Sequence, residues 1–394
     1  MSPAPRRPAY DGPAILSHGF RPFFLAGSVW AVIAVLVWMP QYFGKISLTT
    51  AFTPLDWHIH EALFGYVAAV AAGFLLTAIP NWTGRLPLQG VPLLVLLLVW
   101  LAGRFAIAAS AWLGWAAAAL IDCAFLTFLC LAIARELIAG KNWKNLKVLA
   151  VLVLLLAANA AFHIEAHVNG SAFYGKRLGV AMAVALVILI GGRVIPSFTR
   201  NFLARRAPGR LPANFGAFDK LSVAAAVLAL LAWTFAPGVA VTGGLLIVAG
   251  LLHFARLARW AGDRAFADAL VLVLHLGYAF APLGFLLVGL SAFTLRIPES
   301  AGVHAWTAGA IGVMTLAIMT RASLGHTGQS LHAGPATLAI YGASLLAVLA
   351  RIGAALLPEW SFILLHIAAF AWAGAFLGFA LAYGKALLSP RGSS

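Results

Sequence analysis

Charge is what this sequence has least of. Asp, Glu, Lys and Arg together make up 9% of its 394 residues, while 63% are hydrophobic, and the mean hydropathy is +0.97. So little polar surface excludes a water-soluble globule, and with it the two or three soluble domains that the length alone would suggest. Cysteine is nearly missing as well. Its two copies, Cys123 and Cys130, fall in one apolar run, roughly 10 Å apart along a helix axis and too far for a disulfide. No CxxC, CxxCH, P-loop or GxGxxG pattern occurs, which argues against iron–sulfur clusters, covalently attached c-type haem and nucleotide sites. A cleavable signal pattern is lacking too: the opening "MSPAPRRPAYDGPA" is a short, basic, proline-rich arm.

What is there instead is a succession of apolar runs of about 20 residues, the length that crosses a hydrocarbon layer of about 30 Å. Twelve spans are predicted, near residues 23–43, 58–79, 90–110, 112–137, 146–167, 176–196, 218–236, 240–260, 269–290, 303–322, 335–356 and 361–384. Lipid offers the backbone no hydrogen-bond partners, and these runs far exceed the roughly 10 alternating residues of a barrel strand. The expected fold is an all-α integral membrane protein. Residues 1–394 form one polytopic domain, with a basic arm at 1–16 and a short tail at 385–394.

Basic residues outnumber carboxylates, 26 to 11, for a net charge of +15. Their placement decides what that means. Lys45, Lys176, Arg177 and Arg296 belong to one alternating set of loops, Arg104, Arg193 and Arg351 fall within spans, and all the others lie in the opposite loops or at the termini. This asymmetry is the positive-inside pattern with both termini cytoplasmic, and it argues for topology rather than for a nucleic-acid partner.

Three helices end alike. "IPNWTGR" (79–85), "IPSFTRN" (195–201) and "SLGHTGQ" (323–329) align on Thr83, Thr199 and Thr327, which are 116 and 128 residues apart, or four spans each time. About 25 residues earlier stand His58 and His60, then Tyr174, then His304. Either three arcs of four helices enclose a central site, since function concentrates where membrane repeats meet, or these residues merely mark helix ends at an interface.

Eleven histidines for eleven carboxylates is a skewed ratio, and ionisable groups inside a membrane are functional candidates because they are costly to place there. His58 and Glu61 share a helix face, whereas His60 points elsewhere; they read as metal or haem ligands, or as a helix N-terminus with Glu61 favouring the dipole. His163 and His167, at i and i+4, could chelate one ion or form a polar rim. His275, deep in the ninth span, reads as a helix-to-helix hydrogen bond, an axial ligand or a proton-relay member. His304 opens the tenth span as a candidate ligand, and His326 and His18 suit an inner cluster or helix capping. His253, His332 and His366 read as structural. Arg104 and Arg351 need buried anions, for which haem propionates would serve, although Asp122 is an alternative partner for Arg104.

With "SHGFRPFFLAG" (17–27), "WHIHEALFGYVAAVAAGFLLTAIPNWTGR" (57–85), "GGRVIPSFTRNF" (191–202), "LHLGYAFAPLG" (274–284) and "HAWTAGAIGVMTLAIMTRASLGHTGQ" (304–329), the chain resembles, over nearly its whole length, the NnrS family of haem- and copper-containing bacterial membrane proteins. The resemblance implies the inner membrane, b-type haem with copper as a further metal, and nitric oxide metabolism with protection against nitrosative stress. "GHTGQ" stands where "GHTGR" is expected, which weakens an anion-binding role at that turn, though Arg321 lies one turn earlier. Twelve helices in three arcs also resemble the catalytic subunits of haem–copper oxidases and nitric oxide reductases, an analogy of architecture alone. Those enzymes carry histidines on their second, sixth, seventh and tenth helices. Here the sixth and seventh spans have none, so the three-histidine copper site of those enzymes is missing and the ligands of any metal site are expected from a different set, on the second, fifth, ninth and tenth.

The expectation is therefore a haem-binding metalloprotein that binds, senses or reduces nitric oxide near the outer half of the bundle. His58 or His60 would hold iron with His304 or His275, a neighbouring histidine or Glu61 would supply protons or hold a second metal, and an unidentified donor would supply electrons. A secondary transporter of a small solute or metal, binding its substrate without a chromophore, is the rival class. A scaffold that inserts metals into other enzymes is a third.

Overall fold

In a medium without water each apolar run has to close its own backbone hydrogen bonds, and in the computed structural model every one of them does so as a helix. Residues 10–206 and 208–391 are described; the first nine positions of the expected arm and the last three of the expected tail lie outside them. Among the described residues, twelve helices are long and apolar enough to span a membrane. They are α1 (Phe20–Tyr42), α2 (Pro54–Thr83), α3 (Val91–Ala108), α4 (Trp115–Ala139), α5 (Leu146–Asn169) and α6 (Tyr174–Leu203). After them come α7 (Ala217–Phe235), α8 (Ala240–Ala258), α9 (Ala269–Ser291), α10 (Glu299–Thr327), α11 (Pro335–Leu356) and α12 (Ser361–Leu388). No strand occurs among the described residues.

Local chemistry sets the helix ends. The Thr53 side chain accepts from the Asp56 amide at 3.2 Å and Pro54 follows at the first helical position, so α2 is regular by the time it reaches its histidines. Gly84 and Gly328 end α2 and α10 in the left-handed region, at φ of 72° and 86°, a conformation that costs a residue with a Cβ. The matching segment of α6 behaves differently: the helix continues through Pro196 and "IPSFTRN" to Leu203. The three aligned threonines nevertheless make one bond in common. Thr83, Thr199 and Thr327 each donate a hydroxyl to the carbonyl four residues back, at 2.9, 2.8 and 2.7 Å.

Two helices are locally unwound to the π form, α2 over Glu61–Val67 and α10 over Ala305–Val313. Each begins one residue after a histidine, His60 or His304, and both histidines stand 23 residues before the aligned threonine of their helix. Lys176 holds that position in α6, which has no π segment. Such i→i+5 turns are rare and concentrate at functional sites.

The helices α2, α6, α9 and α10 are the most buried of the twelve. The first and last helices close the ring of neighbours: α1 packs on α12, and Arg21 donates to the carbonyls of Leu387 at 2.8 Å and Ser389 at 2.6 Å. This clasp marks the terminal end of the bundle. His58, His60 and His304 lie at the opposite, far end.

Candidate functional site

The far end of α2 builds two sites at once, because His58 and His60 are two residues apart and so diverge by about 200° around the helix axis.

His60 turns inward to a fully enclosed polar network assembled from α2, α3, α4 and α5. Its Nδ1 donates to Glu61 Oε1 at 3.0 Å. Its Nε2 lies 3.1 Å from Asn159 Oδ1 and 3.2 Å from Asp122 Oδ2. Arg104 donates one terminal nitrogen to Glu61 Oε2 at 2.6 Å and the other to Asp122 Oδ1. Asn159 Nδ2 donates to Asp122 Oδ2 at 2.7 Å, and His163 Nε2 lies 3.2 Å from that same oxygen. All six side chains belong to buried residues, so the network stands without bulk water, and its neutrality depends on how many protons the two imidazoles carry. One ligand atom each from His60, Asp122 and His163 lies within 4.8 Å of the others, close enough to hold a metal ion.

His58 faces the other way, into a partly open cavity of about 450 Å³ lined by α1, α2, α6, α7, α10, α11 and α12. The walls are mainly alanine and aliphatic side chains; His58, His304, Arg351, Lys176, Arg177 and Glu299 are the polar exceptions that matter. The His58 ring stacks on Trp38, centroids 4.0 Å apart at 23°, and neither of its nitrogens has a hydrogen-bond partner among the described residues. His304 donates from Nδ1 to the Ser300 carbonyl at 2.8 Å, which fixes the tautomer and leaves the Nε2 lone pair free. Arg351 has no anionic partner among the described residues, and the buried Trp38 Nε1 has none either. Glu299 accepts from Trp233 Nε1 at 2.7 Å and sits 3.9 Å from Arg177. Across the floor of the cavity, the Tyr66 hydroxyl of the α2 π segment contacts the Thr315 hydroxyl of α10.

The other candidates read from the sequence fall elsewhere. His167 does not join His163: it lies one turn further along, in the last turn of α5, where its ring is exposed and stacks on Trp115 at 4.4 Å. His275 lies toward the terminal end, 2.9 Å from the Thr199 hydroxyl, with a buried Nδ1 that has no partner, and it does not line the cavity of His58 and His304. His326 is exposed and packs on Phe20 at 5.3 Å. Arg104 is spoken for by two carboxylates, so it is Arg351 alone of the two arginines that reaches the cavity. His253, read from the sequence as structural, shares Tyr278 with Arg256, while Arg256 pairs with Asp219 at 3.0 Å.

Asn159, Trp38 and Ser300 touch His60, His58 and His304, and of the three only Asn159 carries a signal that could single it out in the sequence. A lone Asn in the run "LVLLLAANAAFHIEAH" was the available signal, since an amide in lipid needs partners as a carboxylate does.

Two adjoining sites, one with metal-ligand spacing and one with unpartnered imidazole and guanidinium groups in an apolar cavity, fit a metalloprotein of the membrane. No curated protein matches the chain. A family model described as NnrS protein matches residues 14–391, and the chain thus belongs to the NnrS family.

Proposed function

We propose that this protein binds a b-type haem in the cavity lined by His58, His304 and Arg351, that the bound group takes up nitric oxide, and that this protects a bacterial cell from nitrosative stress. The observation that carries the reading is the coincidence, in one apolar cavity, of imidazole nitrogens and a guanidinium left without a partner among the described residues. Cofactor sites are typically apolar cavities of about 300–1,000 Å³ with a few convergent polar groups, and the volume of about 450 Å³ falls in that range.

Each lining residue has a separate part. His304, its tautomer set by Ser300, would offer Nε2 to the iron. His58, its ring plane held by Trp38, would stand beside the bound group as a hydrogen-bonding or proton-carrying neighbour, leaving a position open for the gas. Arg351 supplies a planar, bidentate donor for a propionate, with Lys176 and Arg177 as further cations on the wall. The alanines at positions 31, 34, 62, 308, 368 and 369 leave flat, dry walls, and a gas that partitions into lipid needs no polar entrance. Bound haem would supply an iron centre for the gas and a redox couple; reduction of the gas would draw electrons from a partner protein or small-molecule donor. The charge distribution supports an inner-membrane chain with both termini cytoplasmic, so the cavity would open toward the outer half of the membrane.

The test is the optical spectrum of detergent-purified protein, oxidised, reduced, and reduced under nitric oxide, for the wild type, His58→Ala and His304→Ala. A stoichiometric b-type spectrum that shifts with the gas and is lost or displaced in His304→Ala is expected. Colourless wild-type protein from haem-replete cells would overturn the reading and favour a transporter.

A further inference from the structure

We infer that His60, Asp122 and His163, completed by the amide oxygen of Asn159, form a binding site for one divalent transition-metal cation, zinc or copper(II), separate from the cavity. A tetrahedral ion with ligand bonds of about 2.0–2.1 Å spaces its ligand atoms by about 3.3 Å. The distances already present are close to that: 3.2 Å from His60 Nε2 to Asp122 Oδ2, 3.2 Å from His163 Nε2 to Asp122 Oδ2, and 3.1 Å from His60 Nε2 to Asn159 Oδ1.

The surroundings orient those atoms as they do in metal sites. His60 donates its other nitrogen to a carboxylate, Glu61, which holds Nε2 toward the centre, the arrangement by which ligating imidazoles are usually fixed. Asp122 turns one oxygen to the Arg104 guanidinium and leaves the other for the centre, and Arg104 also ties Glu61 in place. The donors come from three helices, α2, α4 and α5, so the site exists only in the folded bundle.

The charge count admits a cation. With both imidazoles neutral, Asp122 and Glu61 exceed Arg104 by one negative charge in a region without water, and a divalent ion turns that into one positive charge of equal size, so it is the donor geometry that selects the ion. Without an ion, a proton on His60 must fill the space between Nε2 and its two oxygen neighbours, since both of those are acceptors. A metal ion takes the place of that proton. The donor set is two imidazoles and two oxygens with no sulfur, because Cys123 and Cys130 are outside the cluster, and that set suits zinc or copper(II) rather than a soft monovalent ion.

The experiment uses the full chain in detergent, stripped with a chelator and then equilibrated with zinc or copper(II), with bound metal counted per chain and haem content measured in parallel. Wild type and His167→Gln are expected to retain one equivalent, Asp122→Asn to lose it, and His163→Gln to bind at least tenfold more weakly. Haem content should not change in any of them, so loss of haem in His304→Ala and loss of metal in Asp122→Asn report on two different claims. Should Asp122→Asn fail to fold, the wild type decides alone: its bound copper(II) should show paramagnetic-resonance coupling to two imidazole nitrogens. Wild-type protein that holds no more metal than Asp122→Asn, or copper without imidazole coupling, would overturn the inference and leave the cluster a proton-filled ion network.

Discussion

Replacing Arg104 with methionine would remove the cation that holds two buried carboxylates together. Arg104 lies 2.6 Å from Glu61 and in contact with Asp122, and none of the three side chains is more than 3% exposed. Methionine is unbranched and of comparable length, so the packing loss is small and the cost is electrostatic. Losing one partner of a buried, hydrogen-bonded pair costs about 3–5 kcal/mol. Here part of that is recovered, because Glu61 can retain the proton that His60 otherwise donates to it, and we expect about 3 kcal/mol. At about 1.4 kcal/mol per tenfold, the folded-to-unfolded ratio falls more than a hundredfold. The assay is unfolding in mixed micelles at increasing SDS fraction, followed by tryptophan fluorescence. Combining Arg104→Met with Glu61→Gln and Asp122→Asn leaves no unpaired charge and is expected to restore at least half the loss. A single variant destabilised by less than about 1 kcal/mol, or a triple variant no better than the single, would refute the electrostatic account.

Three other outcomes follow from the same geometry. A Cβ on Gly175 would come within 2.4 Å of the Phe162 amide nitrogen and 2.6 Å of its Cα. Gly175→Ala therefore has to part α5 from α6, and a loss of about 1–3 kcal/mol in the same micelle assay, with weaker metal retention as His163 moves, is expected. His275→Ala removes one hydrogen bond to Thr199 and should lower stability by about 1 kcal/mol without altering the haem spectrum. His167→Ala, at an exposed rim position, should leave stability within about 0.5 kcal/mol and both haem and metal content unchanged.

Much of the fold could be read in the sequence, because lipid makes length and hydropathy nearly sufficient: twelve spans were expected and twelve are found among the described residues. The helix ends at Gly84 and Gly328 were also legible, since a left-handed cap announces itself as glycine. The continuation of α6 past Pro196 was not, because a proline inside a buried helix can be absorbed by neighbours. Neither π segment has a compositional signature; an extra residue per turn is a response to packing. At the site, the division of labour between His58 and His60 followed from helical spacing, and the family from the motifs that carry them. What spacing could not supply was partnership across helices. The pairing of Asp122 with Arg104 was among the readings of the sequence, but nothing local to Asp122 says that it will also collect Asn159, His60 and His163, and nothing local to His163 and His167 says that only the first will face inward.

The turn of α2 that carries His58 and His60 works as a two-sided key. Its rotation is set by a single cap at Thr53 and by the π segment that begins at Glu61, and one residue inserted between them would turn every following side chain by about 100°. That turn would take His60 out of its network while pulling Glu61 off Arg104. No adjustment of one compartment can therefore be made without disturbing the other, and the spacing between Thr53 and Glu61 is a length that the molecule is not free to vary.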